Sequence, residues 1–123
     1  MYGLLIPTRN RPYHVENLLL SICDTCFDEI EIVIVSSGLN ISNIIKKFER
    51  KLNIKYLHSE QVGQINQKIQ GLKLFSEKSK WIIFLDDDLI LPGDFFKNMN
   101  KSIQQLPNAL GIGFNLAEKS KIN

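Results

Sequence analysis

The residues of this sequence best suited to chemistry are three adjacent carboxylates, Asp86, Asp87 and Asp88, which follow directly on the apolar run 81–85. Folding alone does not require them, because like charges at the end of a buried strand repel unless a cation or hydrogen-bond donors share the site. On an extended backbone the side chains at i and i+2 point the same way, so Asp86 and Asp88 converge while Asp87 faces elsewhere. Two converging carboxylates suit a hard divalent ion, Mg²⁺ or Mn²⁺. A solvated acidic turn is the alternative interpretation.

Composition is that of an ordinary globular domain. The chain has 123 residues, 44% of them hydrophobic, which is enough for one core and too few for two. A formal net charge of +2 lacks the dense basic surface of a nucleic-acid binder, so nucleic acid is not expected as a partner. No apolar run is long enough for a signal peptide or a transmembrane segment. We therefore expect a cytoplasmic protein, with peripheral association at the inner membrane face left open.

A C-x-x-C pair, Cys23 and Cys26, raises the alternatives of a redox or a zinc site. A thioredoxin-like pair begins a helix after a strand, and a zinc site needs two further ligands at suitable spacing. These cysteines instead fall late in a helical pattern, and no second pair follows. We predict that they pack in the core, where free cysteine behaves as a small hydrophobic residue.

Short apolar runs alternate with stretches of helical period along the chain, a pattern typical of βαβ units. The predicted fold class is α/β, a Rossmann-like, mostly parallel sheet with helices on both faces, in a domain covering residues 1–115 with a polar tail, 116–123. Right-handed crossovers between parallel strands produce this arrangement. The predicted strands are residues 3–6, 29–35, 54–58, 81–85 and 109–114.

Apolar side chains at helical spacing predict the helices between these strands. The first spans the apolar positions from Val15 to Cys26 and has Pro12 in its first turn. Asn40 is the predicted N-cap of the second. The apolar positions of the second, third and fourth helices are, respectively, Ile41, Ile44, Ile45, Phe48 and Leu52; Val62, Ile65, Ile69, Leu72 and Phe75; and Phe95, Phe96, Met99, Ile103 and Leu106.

The predicted sheet also indicates where a ligand would bind. In open parallel sheets, ligands bind beyond the carboxyl ends of the strands at the point where the strand order reverses. If the first strand is central and the fourth lies beside it, residues 7–9 and 86–88 meet at that crevice. The fold therefore predicts a site at these residues independently of any motif.

The segments LIPTRNRP, residues 5–12, and FLDDD, residues 84–88, resemble the family 2 glycosyltransferases of the GT-A fold. In that family a first strand ends in Pro-Thr, an Asn and a helix follow, and a fourth strand ends in an Asp-x-Asp motif that holds the metal and the donor diphosphate. A third similar segment is 63–71, where the family has two glycines bracketing an Arg-Asn pair. Here Lys68 keeps the positive charge and Ile69 replaces the amide.

The resemblance implies the donor-binding half of a metal-dependent glycosyltransferase. Such an enzyme moves a sugar from a nucleoside-diphosphate sugar to an acceptor, here a glycan or a lipid-linked molecule. It implies that Asp88 is a metal ligand and that Asp86 and Asp87 support the ribose and metal-bound waters. The implied lining of the nucleoside pocket is Pro7, Thr8 and Arg9.

Cationic side chains near these segments are candidates for contacts to the diphosphate. They are Arg9, Arg11 and Lys68, of which arginine suits bidentate phosphate recognition. Solvated surface charge is the alternative interpretation for each of them.

The end of the predicted second strand departs from the family pattern. The family commonly has Asp there, often in contact with the nucleobase, whereas this chain has Ser36 and Ser37. A serine hydroxyl can still bond a base edge but brings no charge. We therefore predict that Ser36 and Ser37 contact the donor nucleotide and that base selectivity is relaxed.

Family members are considerably longer, and their later half supplies the acceptor pocket and the general base of transfer. No catalytic base is identified in this chain. A non-catalytic nucleotide-sugar-binding or interaction module therefore remains an alternative, and self-association of the chain is expected. A receiver-like phospho-switch is disfavoured, because the first strand ends in Pro-Thr and lacks an acidic pair.

Overall fold

The computed structural model of the chain describes residues 1–25 and 29–105. The chain divides into two compact units, Met1–Gly93 and Asp94–Asn123. Several predictions lie outside the described residues: the boundary at 115, the strand 109–114, and the positions Cys26 and Leu106. The second unit contains one described helix, α4 (Phe95–Gln105), whose Phe95, Phe96 and Met99 are buried as predicted.

The first unit is built on a four-stranded sheet, whose strands are β1 (Tyr2–Arg9), β2 (Ile30–Ser37), β3 (Ile54–His58) and β4 (Trp81–Phe84). Their order in the sheet is β3-β2-β1-β4, and every neighbouring pair is parallel. The first strand runs three residues further than the apolar run 3–6 indicated, so Pro7 and Thr8 lie within it. The sheet confirms the predicted α/β fold class and the predicted position of the first strand beside the fourth.

Three helices connect these strands: α1 (Pro12–Asp24), α2 (Ser42–Lys46) and α3 (Gln64–Leu72). Helix α1 connects β1 to β2, and α2 connects β2 to β3, both in the same direction across the sheet. Helix α3 connects β3 to β4, which lies on the other side of β1, so right-handed crossovers place α3 on the face opposite α1 and α2. An ion pair of 3.1 Å between Lys47 Nζ and Glu16 Oε1 joins the ends of α1 and α2, as expected for helices on one face. No helix within the described ranges has the length and hydrophobicity of a membrane span.

Helix α2 is shorter than the apolar pattern 41–52 predicted, since it ends at Lys46 and turns follow. Ile41, Ile45 and Phe48 are nevertheless buried. The side chain of Asn40 accepts a hydrogen bond from the Ser42 backbone N–H at 2.8 Å, although Ile41, and not Asn40, is the residue at the N-cap. The apolar pattern therefore predicted which side chains are buried better than it predicted the length of the helix.

The core lies on both sides of the two central strands. Leu5, Val33 and Val35 form a buried cluster on one face. Leu4 and Ile6 alternate with Leu5 along β1 and therefore point to the opposite face, where they are equally buried. Full burial of such a side chain contributes roughly 1.5–3 kcal/mol. The side chains that pack against the cluster are Leu57, Leu74, Phe75 and Ile82.

Of the apolar positions predicted for the third helix, only Phe75, which follows α3, packs against the core cluster. Gln67 and Gly71 are the buried residues of this helix. A Cβ added at Gly71 would clash with Leu5 Cδ1 and lie 3.0 Å from Val35 Cγ2, so the glycine permits the close approach of α3 to β1 and β2. The other side of the helix is 43–74% exposed, at Val62, Ile65, Ile69 and Leu72.

A buried carboxylate, Glu31, ties the segment between α3 and β4 to the sheet. Its side chain is 3% exposed, and its Oε2 lies 2.8 Å from Lys55 Nζ. Its Oε1 accepts hydrogen bonds from the Ser76 backbone N–H at 2.9 Å and from Ser79 Oγ at 2.8 Å. Burial raises the pKa of Glu31, but the hydrogen bonds from Lys55, Ser76 and Ser79 outweigh burial and leave that pKa below its ordinary value.

We expect the substitution Glu31→Gln to lower the free energy of unfolding at neutral pH by about 1.5–3 kcal/mol, the usual value of a hydrogen bond to a charged group. Because the pKa of Glu31 is lower in the folded chain, the carboxylate stabilises the fold above the unfolded pKa, near 4.5. This stabilisation is lost as the pH falls through the folded pKa. The free energies of unfolding of the unmodified protein and of Glu31→Gln should therefore become similar at acidic pH.

Urea denaturation at neutral and acidic pH measures both effects. Glu77→Gln is the matched control, since Glu77 lies in the same segment and is exposed. The control should change the free energy of unfolding by no more than about 0.5 kcal/mol. A loss for Glu31→Gln that is independent of pH would contradict the role of the charge.

Candidate functional site

At the carboxyl edge of the sheet, β1 is longer than its neighbour β4. Pairing between them runs from Tyr2 with Trp81 to Leu5 with Phe84. One more hydrogen bond, from the Leu85 backbone N–H to the Leu5 carbonyl at 3.0 Å, closes the ladder. The chain after Leu85 therefore leaves the sheet beside the last residues of β1. Strand order reverses here, because β4 follows β3 in the sequence but lies against β1.

A cavity of about 520 Å³ opens in this crevice, a volume in the range of small-molecule sites. Three segments contribute to it: the end of β1 with the start of α1, the first half of α3, and the turn after β4. The structure brings together here all the candidate residues predicted from segments 7–11 and 86–88. The residues that line the cavity are Pro7, Thr8, Arg9, Arg11, Gln64, Gln67, Asp86, Asp87 and Asp88.

Asp87 is the buried member of the acidic triplet. It is 7% exposed, its Oδ2 accepts a hydrogen bond from Thr8 Oγ1 at 2.7 Å, and its Oδ1 accepts one from Arg11 Nη1 at 3.3 Å. Asp86 and Asp88 are exposed, and their carboxylates have no partner within the described ranges. The extended backbone predicted for the triplet is wrong, because β4 ends at Phe84 and Asp87 and Asp88 lie in a turn. Both oxygens of Asp87 are thus committed to the protein, whereas those of its two neighbours are available to a ligand.

Helix α1 supports the segment that follows the triplet. Ser21 Oγ donates a hydrogen bond to the Leu18 carbonyl at 2.7 Å and accepts one from the Leu91 backbone N–H at 3.0 Å. Pro12 is the first residue of the same helix, as predicted, and Arg11 precedes it. One helix therefore helps to position both Arg11 and the chain beyond Asp88.

A sharp turn at Asn10 directs the two arginines that flank it. Asn10 has φ 54°, a left-handed conformation that asparagine tolerates better than most residues. Its Oδ1 accepts a hydrogen bond at 2.8 Å from the Leu39 backbone N–H in the loop after β2. The turn thus links the ends of β1 and β2, and Arg9 and Arg11 both line the cavity.

Three predicted site residues do not line the cavity. The Ser36 hydroxyl shares a hydrogen bond with the Tyr56 hydroxyl, and Ser37 Oγ is buried without a partner among the described residues. Lys68 Nζ lies 5.6 Å from the centroid of the Phe84 ring, a cation–π contact. Their contacts to a nucleotide stay predictions.

Gln64 and Gln67 line the cavity but were not among the predicted site residues. Gln67 Nε2 donates hydrogen bonds to the Thr8 carbonyl at 2.8 Å and to the Val35 carbonyl at 2.9 Å. A signal was present, because Gln64, Gln67 and Gly71 recur at i, i+3 and i+7 and so form a polar and small face on one side of α3. The stronger apolar periodicity of the other side concealed it.

We expect Asp87→Asn to lower the free energy of unfolding by about 1.5–3 kcal/mol, because the buried hydrogen bond from Thr8 loses its charged acceptor. Asp86→Asn is the matched control: its side chain is exposed, and the expected change is within about 0.5 kcal/mol. Denaturant titrations of the three proteins provide the comparison. Equal stability of both variants would show that Asp87 does not hold the site together.

Sequence and structure comparisons agree on a family. The model of glycosyl transferase family 2 matches residues 4–122. Chondroitin synthase of Escherichia coli is 31% identical over 91 residues, which are 71% of this chain and 13% of that protein.

Solved structures are similar over most of the chain. S. aureus TarS 1–349 in complex with UDP is 25% identical with a TM-score of 0.75, over 85% of this chain and 32% of that one. The mannosyltransferase PcManGT from Pyrobaculum calidifontis, in complex with GDP-Man and Mn²⁺, is 19% identical with a TM-score of 0.73. The match covers 83% of this chain and 32% of that one. The chain thus spans a third or less of these relatives, and the likeness confirms the predicted GT-A type of α/β fold. On the match to residues 4–122, the chain belongs to glycosyl transferase family 2.

Proposed function

We propose that this chain forms the donor-binding part of a glycosyltransferase. It holds a nucleoside-diphosphate sugar in the cavity between β1 and β4, and the sugar passes to a glycan or lipid-linked acceptor. The observation that carries the proposal is the position of Arg9, Arg11 and the acidic triplet around one cavity at the strand switch. Two relatives support it, since TarS was solved with UDP and PcManGT with GDP-Man and Mn²⁺.

The charges of the cavity suit a diphosphate that is bound together with a cation. Arg9 and Arg11 come from one wall, and Asp86 and Asp88 from another. The Arg11 side chain is 54% exposed and makes one 3.3 Å contact to Asp87, so most of its five N–H donors remain available. Guanidinium groups bind phosphate oxygens in a bidentate manner. The two arginines therefore attract the diphosphate, which the exposed carboxylates alone would repel.

The donor set of the triplet fits a hard divalent ion. Asp86 and Asp88 would hold Mg²⁺ or Mn²⁺ through carboxylate oxygens, the ligands that these ions prefer. Among the described residues, no group of three or more His, Cys, Asp or Glu side chains could hold an ion. The remaining coordination positions are therefore left to diphosphate oxygens and water. A bound ion neutralises the charge that develops on the departing nucleoside diphosphate.

The described residues themselves bind and orient the donor. Asp87 holds Thr8 and Arg11, so these two side chains are positioned before the ligand arrives. Groups fixed in this way stabilise developing charge without reorganising during the reaction. Within the described ranges, the aspartate triplet supplies the only carboxylates on the cavity, and all three are assigned to the donor side. No general base for the acceptor can be named among these residues.

We expect UDP or GDP to bind the chain weakly without a divalent ion and more tightly with Mn²⁺. Asp86→Asn and Asp88→Asn should each reduce the gain from Mn²⁺ by about tenfold or more, the effect of losing one charged partner. Calorimetric titration of each nucleotide with and without Mn²⁺ measures the gain.

Asp24→Asn is the control for general charge effects, since Asp24 is exposed at the end of α1 and does not line the cavity. It should keep the full gain. If all of these proteins bind the nucleotides equally well with and without Mn²⁺, the proposed metal site is wrong.

A further inference from the structure

The amide of Gln67 has only one possible orientation. Its nitrogen lies 2.8 Å from the Thr8 carbonyl oxygen and 2.9 Å from the Val35 carbonyl oxygen. Carbonyl oxygens accept hydrogen bonds and never donate them, so the atom facing both must be the NH₂ group. The usual ambiguity between the two ends of a glutamine amide is therefore removed by chemistry.

This orientation leaves the Gln67 carbonyl oxygen, Oε1, without a protein partner. Both N–H bonds of the amide are used, and no described residue donates to Oε1. Gln67 is 3% exposed and lines the cavity. Among the described residues, Oε1 is not one of the buried side-chain atoms that lack a partner, so it opens to the cavity, where a ligand or water can donate to it.

The strand order shows which part of a donor reaches this oxygen. Gln67 bridges the ends of β1 and β2, whereas Asp86 and Asp88 follow β4 on the opposite side of β1. A molecule of UDP or GDP whose diphosphate lies beside Asp86 and Asp88 has only its nucleoside to extend along the cavity towards β2. The nucleoside is then the part of the ligand that approaches Gln67.

We propose that Gln67 determines specificity by accepting a hydrogen bond through Oε1 from a hydroxyl or N–H group of the donor's nucleoside. This inference rests on the proposed function. A ligand that covers Oε1 without supplying that donor group takes its water away and leaves it unpaired, and sites built to bond a polar group discriminate strongly against analogues that lack it. The acceptor is neutral, so the discrimination does not depend on charge.

Two nucleoside groups supply this chemistry, a ribose hydroxyl and a ring N–H of the base. Calorimetry of the unmodified chain with Mn²⁺ and UDP, 2′-deoxy-UDP, 3′-deoxy-UDP and CDP separates them, because N3 of cytosine carries no hydrogen. For a chain that prefers GDP, the series uses its deoxy forms, 2-aminopurine riboside diphosphate, whose N1 also carries no hydrogen, and IDP, which lacks the 2-amino group of guanine. We expect one analogue to bind roughly 5- to 100-fold more weakly than its parent nucleotide.

The substitution Gln67→Leu tests whether the weaker binding of the analogue depends on the Gln67 amide. In this variant the parent nucleotide should bind more weakly, and the ratio between parent and analogue should fall to less than about twofold. Asn66→Ala is the matched control, because Asn66 lies on the exposed side of α3 outside the cavity; it should keep the full ratio. Gln67→Leu also leaves the Thr8 and Val35 carbonyls without their donor, so its thermal unfolding is measured first.

If Gln67→Leu does not fold, the ligand series on the unmodified chain decides. Tight binding of the parent nucleotide, with every analogue within about twofold of it, would overturn the role of Gln67 and leave the proposed function standing. A ratio that persists in folded Gln67→Leu would overturn that role equally. Failure of both UDP and GDP to bind in the presence of Mn²⁺ would overturn the proposed function and this inference together.

Discussion

The candidate site depends on the unequal lengths of two parallel neighbours, β1 and β4. Their pairing ends at Leu5 and Phe84, but β1 continues to Arg9, so the segments that follow this last pair separate from each other. The segment after β1 leads into α1, and the segment after β4 forms the turn that contains the acidic triplet. Because the strand order also reverses here, α1 and α3 lie on opposite faces of the sheet, and the gap between β1 and β4 remains open as a cavity.

Thr8 connects the two sides of that cavity. Its hydroxyl donates to Asp87 on the β4 side, and its carbonyl accepts from Gln67 on the β2 side. Below this level the interior is apolar, as at Leu5 and Val35. The change from apolar packing to buried hydrogen bonds therefore occurs within a few residues of β1. The Thr8 hydroxyl, the Thr8 carbonyl and both N–H bonds of Gln67 are paired, which makes this part of the site rigid and leaves Gln67 Oε1 available to a ligand.

The four described strands and the crevice could be predicted, because continuous apolar runs mark buried strands and the crossover rules then leave few arrangements. The buried face of α3 could not. Apolar periodicity indicates burial only where the surface beneath a helix is apolar, but here the Thr8 and Val35 carbonyls need donors, and β1 needs space that only Gly71 leaves. The hydrogen bond between Ser36 and Tyr56, which are twenty residues apart in the sequence, could not be predicted from motif spacing either.

The central claim is that a divalent ion and a nucleoside diphosphate meet at the carboxyl edge between β1 and β4. Paramagnetic broadening of backbone amide signals by a trace of Mn²⁺, in the presence of UDP, tests it most directly in solution. Tyr2 and Arg9 bracket β1 and are separated by roughly 23 Å at the usual rise per residue, so the effect can distinguish the two edges of the sheet. We predict that signals of residues 86–88 and Arg9 broaden first while those of Tyr2 and Trp81 persist. Broadening centred away from residues 86–88, or unaffected by UDP, would contradict the claim.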